Sequence, residues 1–290
     1  MRIDLHIHST ASDGTLSPVE ILALAQDLNL EAIAITDHDT IEGSKEAIRN
    51  GIPPSVKFVT GVEISASPPR SFSSSSGSLH ILGYGIRFGD SLLNKTLKML
   101  QESRRNRNPH IIDRLNSLGF DLSLKEVIND VGEGQIGRPH IAQVMVKKNF
   151  VKSIDEAFDK YLGKGKPAYV DKYRIKCAES IAIIRGAGGI PVLAHPILLD
   201  YESNEVLENL VEDLTAMGLM GIEVYYSDHT PAHIAYYSEL AKRFELLMTG
   251  GTDFHGSIKP NVKMGSGKGD LFVPYELYET LIKTCNDPRP

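Results

Sequence analysis

The chain has 290 residues, of which 41% are hydrophobic and 23% charged, a balance typical of a globular protein, and its formal net charge is −6. Its two cysteines, Cys177 and Cys285, exclude a disulfide framework and a cysteine zinc site and favour a reducing, cytoplasmic location. A strand pattern begins at Arg2, so we expect no signal peptide, and no apolar run approaches the roughly 20 residues that span a bilayer.

The first predicted elements are a strand and a helix. The alternation in RIDLHIH places aliphatic side chains on one face of a strand and Asp4, His6 and His8 on the other. The SPVE motif from Ser17 predicts a helix start, because it combines a serine cap, a proline at the first helical position and a glutamate three residues on. A second strand at residues 31–36 leads into an Asp-His-Asp triplet.

This strand, helix, strand unit recurs along the chain and predicts a mostly parallel sheet with right-handed crossovers. An α/β barrel is the simplest architecture that keeps polar residues at one end of successive strands. Later strands are predicted at 191–195, 221–225 and 246–249, and helices at about 203–216 and 231–244.

Two segments interrupt the repeat. Residues 67–78 are rich in serine, proline and glycine and predict a mobile surface loop. Residues 92–167 have helical patterns and no strand signal until 168–170, and Pro109 is expected to kink or split the first of these helices. We therefore expect a barrel formed by residues 1–91 and 168–290, with residues 92–167 inserted as a helical cap over its mouth.

Nine potential metal ligands lie close to strand-like runs. An isolated histidine is more often packed or solvated than metal-bound, so the argument depends on their joint occurrence. Glu63 is read as the end of an apolar strand, where a carboxylate must be paired or metal-bound to offset its burial. Together the nine residues predict a multinuclear metal site at the barrel mouth. The nine candidates are His6, His8, Asp13, His38, Glu63, His80, His195, Asp253 and His255.

Charge is distributed unevenly. Residues 98–176 contain 16 Lys/Arg and 10 Asp/Glu, a local charge of +6 that leaves −12 in the rest of the chain. A solvated helical face explains such a run as well as a binding surface does. A basic insertion beside a metal-loaded barrel is also an arrangement that attracts a polyanion.

The motifs DLHIHSTASDGT, AITDHDT, GVEIS, LAHP and GTDFHG resemble those of the PHP (polymerase and histidinol phosphatase) superfamily of phosphoesterases. The resemblance covers essentially the whole chain and implies a distorted, TIM-like (β/α)7 barrel with two or three divalent metal ions, which are manganese, zinc or iron. Asp13 stands where some members have histidine, a change that keeps a ligand. The implied ligand sets are His6, His8, Glu63 and Asp253; Asp13, His38 and His255; and Glu63, His80 and His195.

Within the superfamily, the stretches RRNRNPHIIDRL, IGRPHIA, YLGKGKPAYV and EVYYSDHTP resemble nucleoside 3′,5′-bisphosphate phosphatases and 5′-3′ exoribonucleases. This resemblance implies substrate-phosphate contacts by Arg138, His140 and Lys166, with His229 a further candidate at the barrel mouth. Arg104, Arg107 and Arg114 share a helical face, for which a solvated surface and a phosphate contact are equally good interpretations.

A bridging water between metals is expected to attack phosphorus, because the sequence has no nucleophile elbow, Walker A loop or reactive cysteine. His195 or His255 is a possible acid for the leaving oxygen, and this assignment stays open. The expected substrate is a nucleotide, such as the 3′,5′-bisphosphate pAp, or the 5′ end of a short RNA. The alternatives are a histidinol-phosphate phosphatase and a non-catalytic PHP module. We expect no membrane, double-stranded DNA or obligate protein partner.

Overall fold

Eight strands form one sheet in the computed structural model, which describes residues 2–72, 79–131 and 134–286. Seven of these strands follow one another around a nearly closed barrel, and the very short β5 pairs only with the end of β3. The strands are β1 (Arg2–Ile7), β2 (Leu30–Ile35), β3 (Lys57–Ser67), β4 (Leu79–Tyr84), β5 (Ile175–Lys176), β6 (Ile190–Leu193), β7 (Gly221–Tyr226) and β8 (Leu247–Gly251).

Helices connect most of the strands, and the longest run of helices lies between β4 and β5. Short 3-10 turns follow β6 and β8, at Pro196–Leu199 and Gly256–Ile258. The helices are α1 (Pro18–Asp27), α2 (Glu42–Asn50), α3 (Ser91–Ser117), α4 (Leu124–Val131), α5 (Arg138–Lys147), α6 (Ile154–Ala157), which continues into a π-turn at Phe158–Leu162, α7 (Cys177–Gly186), α8 (Asn204–Ala216), α9 (Pro231–Arg243) and α10 (Tyr275–Asn286).

Helix α1 begins as its sequence predicts. The Ser17 hydroxyl accepts a hydrogen bond from the backbone N–H of Glu20, and the Glu20 carboxylate accepts one from the backbone N–H of Ser17. Pro18 occupies the first turn, where its missing N–H has no helical partner to lose. The capping box therefore ends the loop after β1 at a fixed point.

The barrel order is β1-β2-β3-β4-β6-β7-β8, and the pairs are parallel except those made by β4, which runs antiparallel to β3 and β6. Closure occurs just after β8: the Asp253 N–H donates to the His6 carbonyl (2.8 Å) and the His8 N–H to the Phe254 carbonyl (2.9 Å). Gly251 permits this approach, since a Cβ there would lie 2.3 Å from the His6 nitrogen. The expected distorted (β/α)7 barrel is confirmed.

Two sequence expectations about strands are wrong. Glu63 does not end its strand, because β3 continues to Ser67, where Ser65 pairs with His80 of β4 and Ser67 with Lys176 of β5. Residues 168–170 form no strand, and the next one is β5. His80 is close to the start of β4, and the antiparallel direction of β4 brings it to the barrel edge where the parallel strands end. Of the serine-rich segment, residues 73–78 lie outside the described residues.

Helix α3 is continuous through Pro109, so the expected split does not occur. Pro109 and Arg105, whose carbonyl loses its helical partner to the proline, are both exposed residues. Buried aliphatic residues on both sides, Leu100 and Ile111, hold the two halves against the protein. Tertiary packing outweighs the local cost of the proline here.

The helical segment between β4 and β5 has a hydrophobic cluster of its own, separate from the clusters that fill and surround the barrel. Its members come from the end of α3, from α4 and α5 and from the π-turn, among them Ile111, Leu115, Val127, Ile141 and Leu162. No helix in the described part of the chain is both long and apolar enough to cross a bilayer.

Candidate metal centre

All nine predicted ligands contribute a nitrogen or an oxygen to one continuous cluster at the edge of the barrel where the parallel strands end. Glu63 is at its middle and is fully buried. Its two carboxylate oxygens face different histidines, so that the cluster divides into three adjoining groups.

The first group joins β1, β3 and the residues after β8. The Nε2 atom of His8 lies 3.2 Å from Glu63 Oε2 and 3.2 Å from Asp253 Oδ1. The Nε2 atom of His6 lies 3.6 Å from each of the same two oxygens. Two imidazole nitrogens and two carboxylate oxygens thus converge on one point.

The second group surrounds Asp13 on the loop after β1. Asp13 Oδ1 lies 3.4 Å from His255 Nε2 and 3.7 Å from His8 Nδ1, and Asp13 Oδ2 lies 3.9 Å from His38 Nε2. The loop is fixed by Asp37, whose carboxylate accepts hydrogen bonds from the Ser9 N–H (2.7 Å), the Ser9 hydroxyl (2.7 Å) and the Ser12 hydroxyl (2.6 Å). Because Nε2 of His8 faces the first group and its Nδ1 faces Asp13, His8 adjoins both groups.

The third group uses the other oxygen of Glu63. Glu63 Oε1 lies 2.7 Å from His80 Nδ1 and 3.0 Å from His195 Nε2, and these two nitrogens are 3.4 Å apart. The three ligand sets implied by the sequence resemblance therefore each come together in space.

The donor atoms of the cluster fit divalent cations. Buried atoms that make no hydrogen bond within the described residues include Nε2 of His6 and of His8, Oδ1 of Asp13, Nδ1 of His38 and Oε2 of Glu63. Leaving such polar atoms unpaired inside a protein is costly, and a cation bound among them removes that cost. Imidazole and carboxylate together suit manganese, zinc and iron.

The electrostatic environment also favours cation binding. Burial raises the pKa of the Glu63 carboxyl, but the neighbouring imidazoles, those of His38 and His6 among them, outweigh it and hold that pKa well below its usual range. Burial lowers the pKa of His80 to about 3 and that of His255 to about 4. These two imidazoles are neutral at pH 7 and keep a lone pair for a metal.

A buried carboxylate behind the cluster orients two of the ligands. Glu223, in the middle of β7, accepts a hydrogen bond from His6 Nδ1 (2.9 Å) and another from the backbone N–H of His195 (2.8 Å). The first bond turns His6 Nε2 toward Glu63 and Asp253, an arrangement common around metal-binding histidines. Glu223 was not predicted, although GIEVYY repeats the pattern of GVEIS around Glu63.

Asp253 is also held from outside the cluster by residues not predicted from the sequence. Its second oxygen, Oδ2, lies 2.5 Å from Lys259 Nζ and accepts a hydrogen bond from the Tyr226 hydroxyl (3.1 Å). Asp253 and His195 both have positive φ angles, 56° and 26°. Such conformations cost roughly 1–3 kcal/mol in a non-glycine residue and persist where surrounding contacts fix them, most often at functional sites.

The predicted substrate contacts are distributed more widely. Helix α5 begins against the centre, because Pro139 lines the same cavity as the ligands. Arg138 donates to the Leu162 carbonyl (2.8 Å) and lies over the rings of Phe158 and Tyr169. His140 is buried, and its Nδ1 accepts from the Gly137 N–H, which makes it a cap of α5.

Lys166 and His229 lie apart from that junction. The Lys166 side chain is exposed in the turn after the π-turn. His229 is buried after β7, where its Nδ1 donates to the Val224 carbonyl (2.7 Å) and its Nε2 makes no hydrogen bond within the described residues. Burial lowers the pKa of His229 to about 4.

A group of five cations, here called the cation cluster, lies beside the metal ligands: Arg104, Arg107, Arg138, Lys172 and Arg174. Arg104 donates to Asp39 Oδ2 (2.8 Å) and to the Ser65 hydroxyl (3.1 Å). Lys172 donates to the same hydroxyl (2.6 Å). Asp39 follows His38 directly, and Ser65 is two residues beyond Glu63 on the same strand, so the two clusters share a wall.

The cations are close enough to repel one another. Burial, followed by the charges of Arg104, Arg138 and Arg174, lowers the pKa of Arg107 to about 9. Two carboxylates, Asp39 and Asp171, pair with members of the cluster. The Nε atoms of Arg107 and Arg174 are buried and make no hydrogen bond within the described residues. The cluster thus has an excess of positive charge and unused donors.

Sequence reasoning found part of this cluster and overestimated another part. Arg114 was grouped with Arg104 and Arg107, but it is exposed and donates to the Tyr169 carbonyl instead. Lys172 and Arg174 were not predicted, because they lie in an irregular segment with no motif.

Three cavities surround the site. The metal ligands line a small one of about 230 Å³, together with Pro139, Leu198 and Lys259. The largest of these three, about 960 Å³, is lined by none of the nine ligands and lies between α2, α3, α4 and the loop after β1. A third, of about 670 Å³, lies between α5–α6 and the loops after β7 and β8. The ligand chemistry places the reaction in the smallest cavity despite its size.

Curated proteins similar to this chain act on phosphate esters. A 3′,5′-nucleoside bisphosphate phosphatase of Chromobacterium violaceum is 35% identical over 87% of each chain. A 5′-3′ exoribonuclease of Haemophilus influenzae is 32% identical over 88% of this chain and 90% of its own. A phosphoribosyl 1,2-cyclic phosphate 1,2-diphosphodiesterase of Eggerthella lenta is 32% identical over 87% of this chain and 94% of its own.

A solved structure and a family model agree with these relatives. A candidate metal-dependent phosphoesterase from Bifidobacterium adolescentis superposes with a TM-score of 0.84 at 28% identity, covering 97% of this chain and 95% of that one. The model of the PHP domain matches residues 4–259. The chain therefore belongs to the PHP domain family, and it is a metal-dependent hydrolase of phosphate esters.

Proposed function

We propose that this enzyme removes the 3′-phosphate of nucleoside 3′,5′-bisphosphates such as pAp, and hydrolyses short RNA from its 5′ end, at the centre formed by the nine ligands. The observation that carries the proposal is the cation cluster beside that centre. A substrate with one phosphate is served by the metals alone, whereas a second phosphate needs cations of its own.

The geometry of β3 supports this division of work. Glu63 and Ser65 point to the same face of the strand about 7 Å apart, given the rise of a β-strand. Glu63 is at the middle of the metal ligands, and Ser65 accepts from Arg104 and Lys172 of the cation cluster. Two anionic groups of one nucleotide can thus be bound at neighbouring places, one by metals and one by guanidinium and ammonium groups.

When bound, two or three divalent cations would supply Lewis acidity toward phosphate oxygens and a water of lowered pKa for attack. The nine residues hold them, and Glu223 keeps His6 in the binding orientation. In the reaction an oxygen of water bonds to phosphorus, the ester P–O bond breaks, and the leaving oxygen takes up a proton. We propose manganese, zinc or iron as the metal, on the basis of the mixed imidazole and carboxylate ligands.

Of the two candidate proton donors, the geometry favours His195 over His255. His255 Nδ1 donates to the Asp253 carbonyl (2.8 Å), and its Nε2 faces Asp13, so neither nitrogen is left for a leaving group. Its lowered pKa also leaves it unprotonated at pH 7. His195 keeps a buried Nδ1 that makes no hydrogen bond within the described residues.

We assign Arg138 to the phosphate that is not cleaved, together with the other members of the cation cluster. His140 supports this assignment indirectly, because it caps α5 at the point where Arg138 begins the helix. Lys166 and His229 remain candidates for contacts farther along the substrate. In the same scheme residues 92–167 serve as the cap over a barrel formed by 1–91 and 168–290.

Two further assignments follow from the proposed substrate. We propose a cytoplasmic location, which the two free thiols and a nucleotide or RNA substrate support. Histidinol phosphate has a single phosphate and an amine, neither of which uses a cluster with excess positive charge.

A phosphate-release screen in Mn²⁺ buffer tests the substrate assignment. The substrates are a 5′-mononucleotide, a nucleoside 3′,5′-bisphosphate, a 5′-phosphorylated short RNA and histidinol phosphate. We expect the highest kcat/KM on the bisphosphate, followed by the RNA. A preference for histidinol phosphate or for the mononucleotide would contradict the role given to the cation cluster.

A further inference from the structure

A groove on the side of the barrel formed by β7 and β8 has no role in the reaction described so far. This β7–β8 groove is the cavity of about 670 Å³ between α5–α6 and the loops after those two strands. Its volume is within the range of about 300–1,000 Å³ that is usual for sites of small organic ligands. The cavity around the metal ligands, at about 230 Å³, holds much less.

The groove adjoins the metal centre. Lys259 lines both cavities, and Tyr226, which lines the groove, donates to the ligand Asp253. The two cavities therefore share a wall, and a chain of atoms that leaves the centre at Lys259 is beside the groove.

The groove and the cation cluster flank the metal centre on nearly opposite sides. The cluster is attached to Asp39, after β2, and to Ser65 on β3. The groove adjoins β7 and β8, which in the closed order β1-β2-β3-β4-β6-β7-β8 are separated from β2 and β3 by at least one strand either way. A ligand that extends from one to the other across the barrel mouth therefore passes over the metal ligands.

The charge of the groove suits a polyanion. Four lysines line it against two aspartates: Lys147, Lys152, Lys259 and Lys268, with Asp155 and Asp228. Lys268 pairs with Asp228, and Lys147 with Asp130, in exposed contacts of the kind that contribute little free energy and exchange readily. The larger cavity of about 960 Å³ is lined by Glu42, Glu46 and Arg105, and this excess of carboxylates disfavours a phosphate chain.

We infer that the β7–β8 groove binds the nucleotides on the 3′ side of the reacting phosphate when the substrate is a short single-stranded RNA. The inference rests on the proposed function. It orders the substrate across the barrel mouth: the 5′-phosphate at the cation cluster, the reacting phosphate at the metal centre and the rest of the RNA in the groove. A nucleoside bisphosphate ends at the reacting phosphate and does not enter the groove.

The test compares adenosine 3′,5′-bisphosphate with a 5′-phosphorylated pentaribonucleotide. The double variant Lys152→Gln/Lys268→Gln removes two cations of the groove that touch neither the metal ligands nor the cation cluster. We expect kcat/KM for the pentaribonucleotide to fall roughly 10-fold and that for the bisphosphate to stay within about twofold. Since each single-strand phosphate contact contributes about −0.7 to the salt slope, the slope for the pentaribonucleotide should flatten by about 1.4.

Arg105→Ala, in the large cavity, is the matched control. A loss confined to the RNA in the lysine variant, with Arg105→Ala unchanged, supports the inference. An RNA-specific loss in Arg105→Ala instead, equal losses on both substrates, or no loss in the lysine variant would each overturn it. If the wild-type enzyme cleaves the bisphosphate, any of these three contrary outcomes overturns only the role of the groove and leaves the proposed function standing. If the wild-type enzyme cleaves neither substrate, the proposed function and the role of the groove are both wrong.

Discussion

The metal centre and the cation cluster share a wall, but they are assembled in different ways. Every metal ligand is on a barrel strand or within a few residues of one, and the ligands occur in short motifs such as His6-x-His8 and Asp253-x-His255. The cations come from α3, from the start of α5 and from an irregular segment before β5. In the proposed scheme the barrel holds the reacting atoms, and parts of the helical segment select the anion that is presented to them.

This difference has an energetic counterpart. The metal ligands include buried carboxylates and buried nitrogen atoms that make no hydrogen bond within the described residues. A metal would stabilise both, so the centre depends on an added ion. The cation cluster is partly compensated by Asp39 and Asp171 and lacks only further negative charge. Changes in the first region should act on metal binding and on every substrate; changes in the second should act on substrates with two phosphates.

The largest effect is expected at Glu63, which belongs to two of the three ligand groups and lies 2.8 Å from His38 of the other. Glu63→Gln should lower the metal content and reduce hydrolysis of every phosphate ester to background, because it weakens more than one metal at once. Metal analysis and a phosphate-release assay measure this, and circular dichroism checks the fold. Glu126→Gln, an exposed carboxylate on α4, is the control. Wild-type turnover in Glu63→Gln would sink the metal assignment.

Glu223 should have a smaller effect of the same kind. Glu223 is not one of the nine predicted metal ligands, but it orients His6 and the backbone of His195. Glu223→Gln is expected to weaken metal affinity by about 10- to 100-fold, as for other carboxylates behind metal-binding histidines. A chelator competition measures the affinity without reference to catalysis, with Glu208→Gln, a half-buried carboxylate on α8, for comparison. Unchanged metal affinity would limit Glu223 to packing.

A change at Arg107 tests whether the cation cluster acts separately from the metal centre. Arg107→Ala should raise KM for a bisphosphate by roughly 10-fold or more, as expected from the loss of a charged hydrogen bond of about 1.5–3 kcal/mol. Hydrolysis of an aryl phosphate should change little, because that substrate has no second phosphate. Steady-state kinetics on both substrates give the answer, and the exposed Arg114→Ala is the matched variant. Equal losses on both substrates would place Arg107 in the structure of the cap.

Ser65 should have the smallest effect. Its hydroxyl accepts from Arg104 and Lys172, so that Ser65→Ala removes two hydrogen bonds from charged donors that position these cations. Because both cations still pair with Asp39, we expect a net loss of only about 0.5–1.5 kcal/mol, so that KM for the bisphosphate should rise about 2- to 10-fold while the metal content stays the same. A loss of metal in this variant would mean that the two regions are not separable at β3.

An α/β barrel and a common site for the nine ligands could be predicted from local patterns, whereas the seven-stranded form of the barrel and the division of the ligands into three sets were implied by the family resemblance. Strand alternation, the capping box at Ser17 and the positions of imidazoles near strand ends are each visible within ten residues. The antiparallel β4 was not visible, because strand direction depends on how the chain crosses the barrel. The extension of β3 beyond Glu63 comes from pairing with β4 and with β5, whose two residues follow more than 100 positions later.

The supporting residues were missed for a related reason. Glu223 acts through a contact with His6, which is more than 200 positions away in the sequence. Lys259 acts through a contact with Asp253, which is six residues away. The sequence around Lys172 and Arg174 has no periodicity, and only the folded chain brings Lys172 to Asp39. Residues that bind an ion are easier to find than those that orient the binders, since the latter can be any polar residue of suitable reach.

The account depends most on the claim that the nine residues hold a centre of more than one metal ion. Elemental analysis of the protein, loaded with Mn²⁺ and freed of excess metal, tests this directly. We expect at least two ions per chain in the wild type and a clear loss in Glu63→Gln. Fewer than one ion per chain in the wild type, together with full hydrolytic activity in the presence of a chelator, would contradict it.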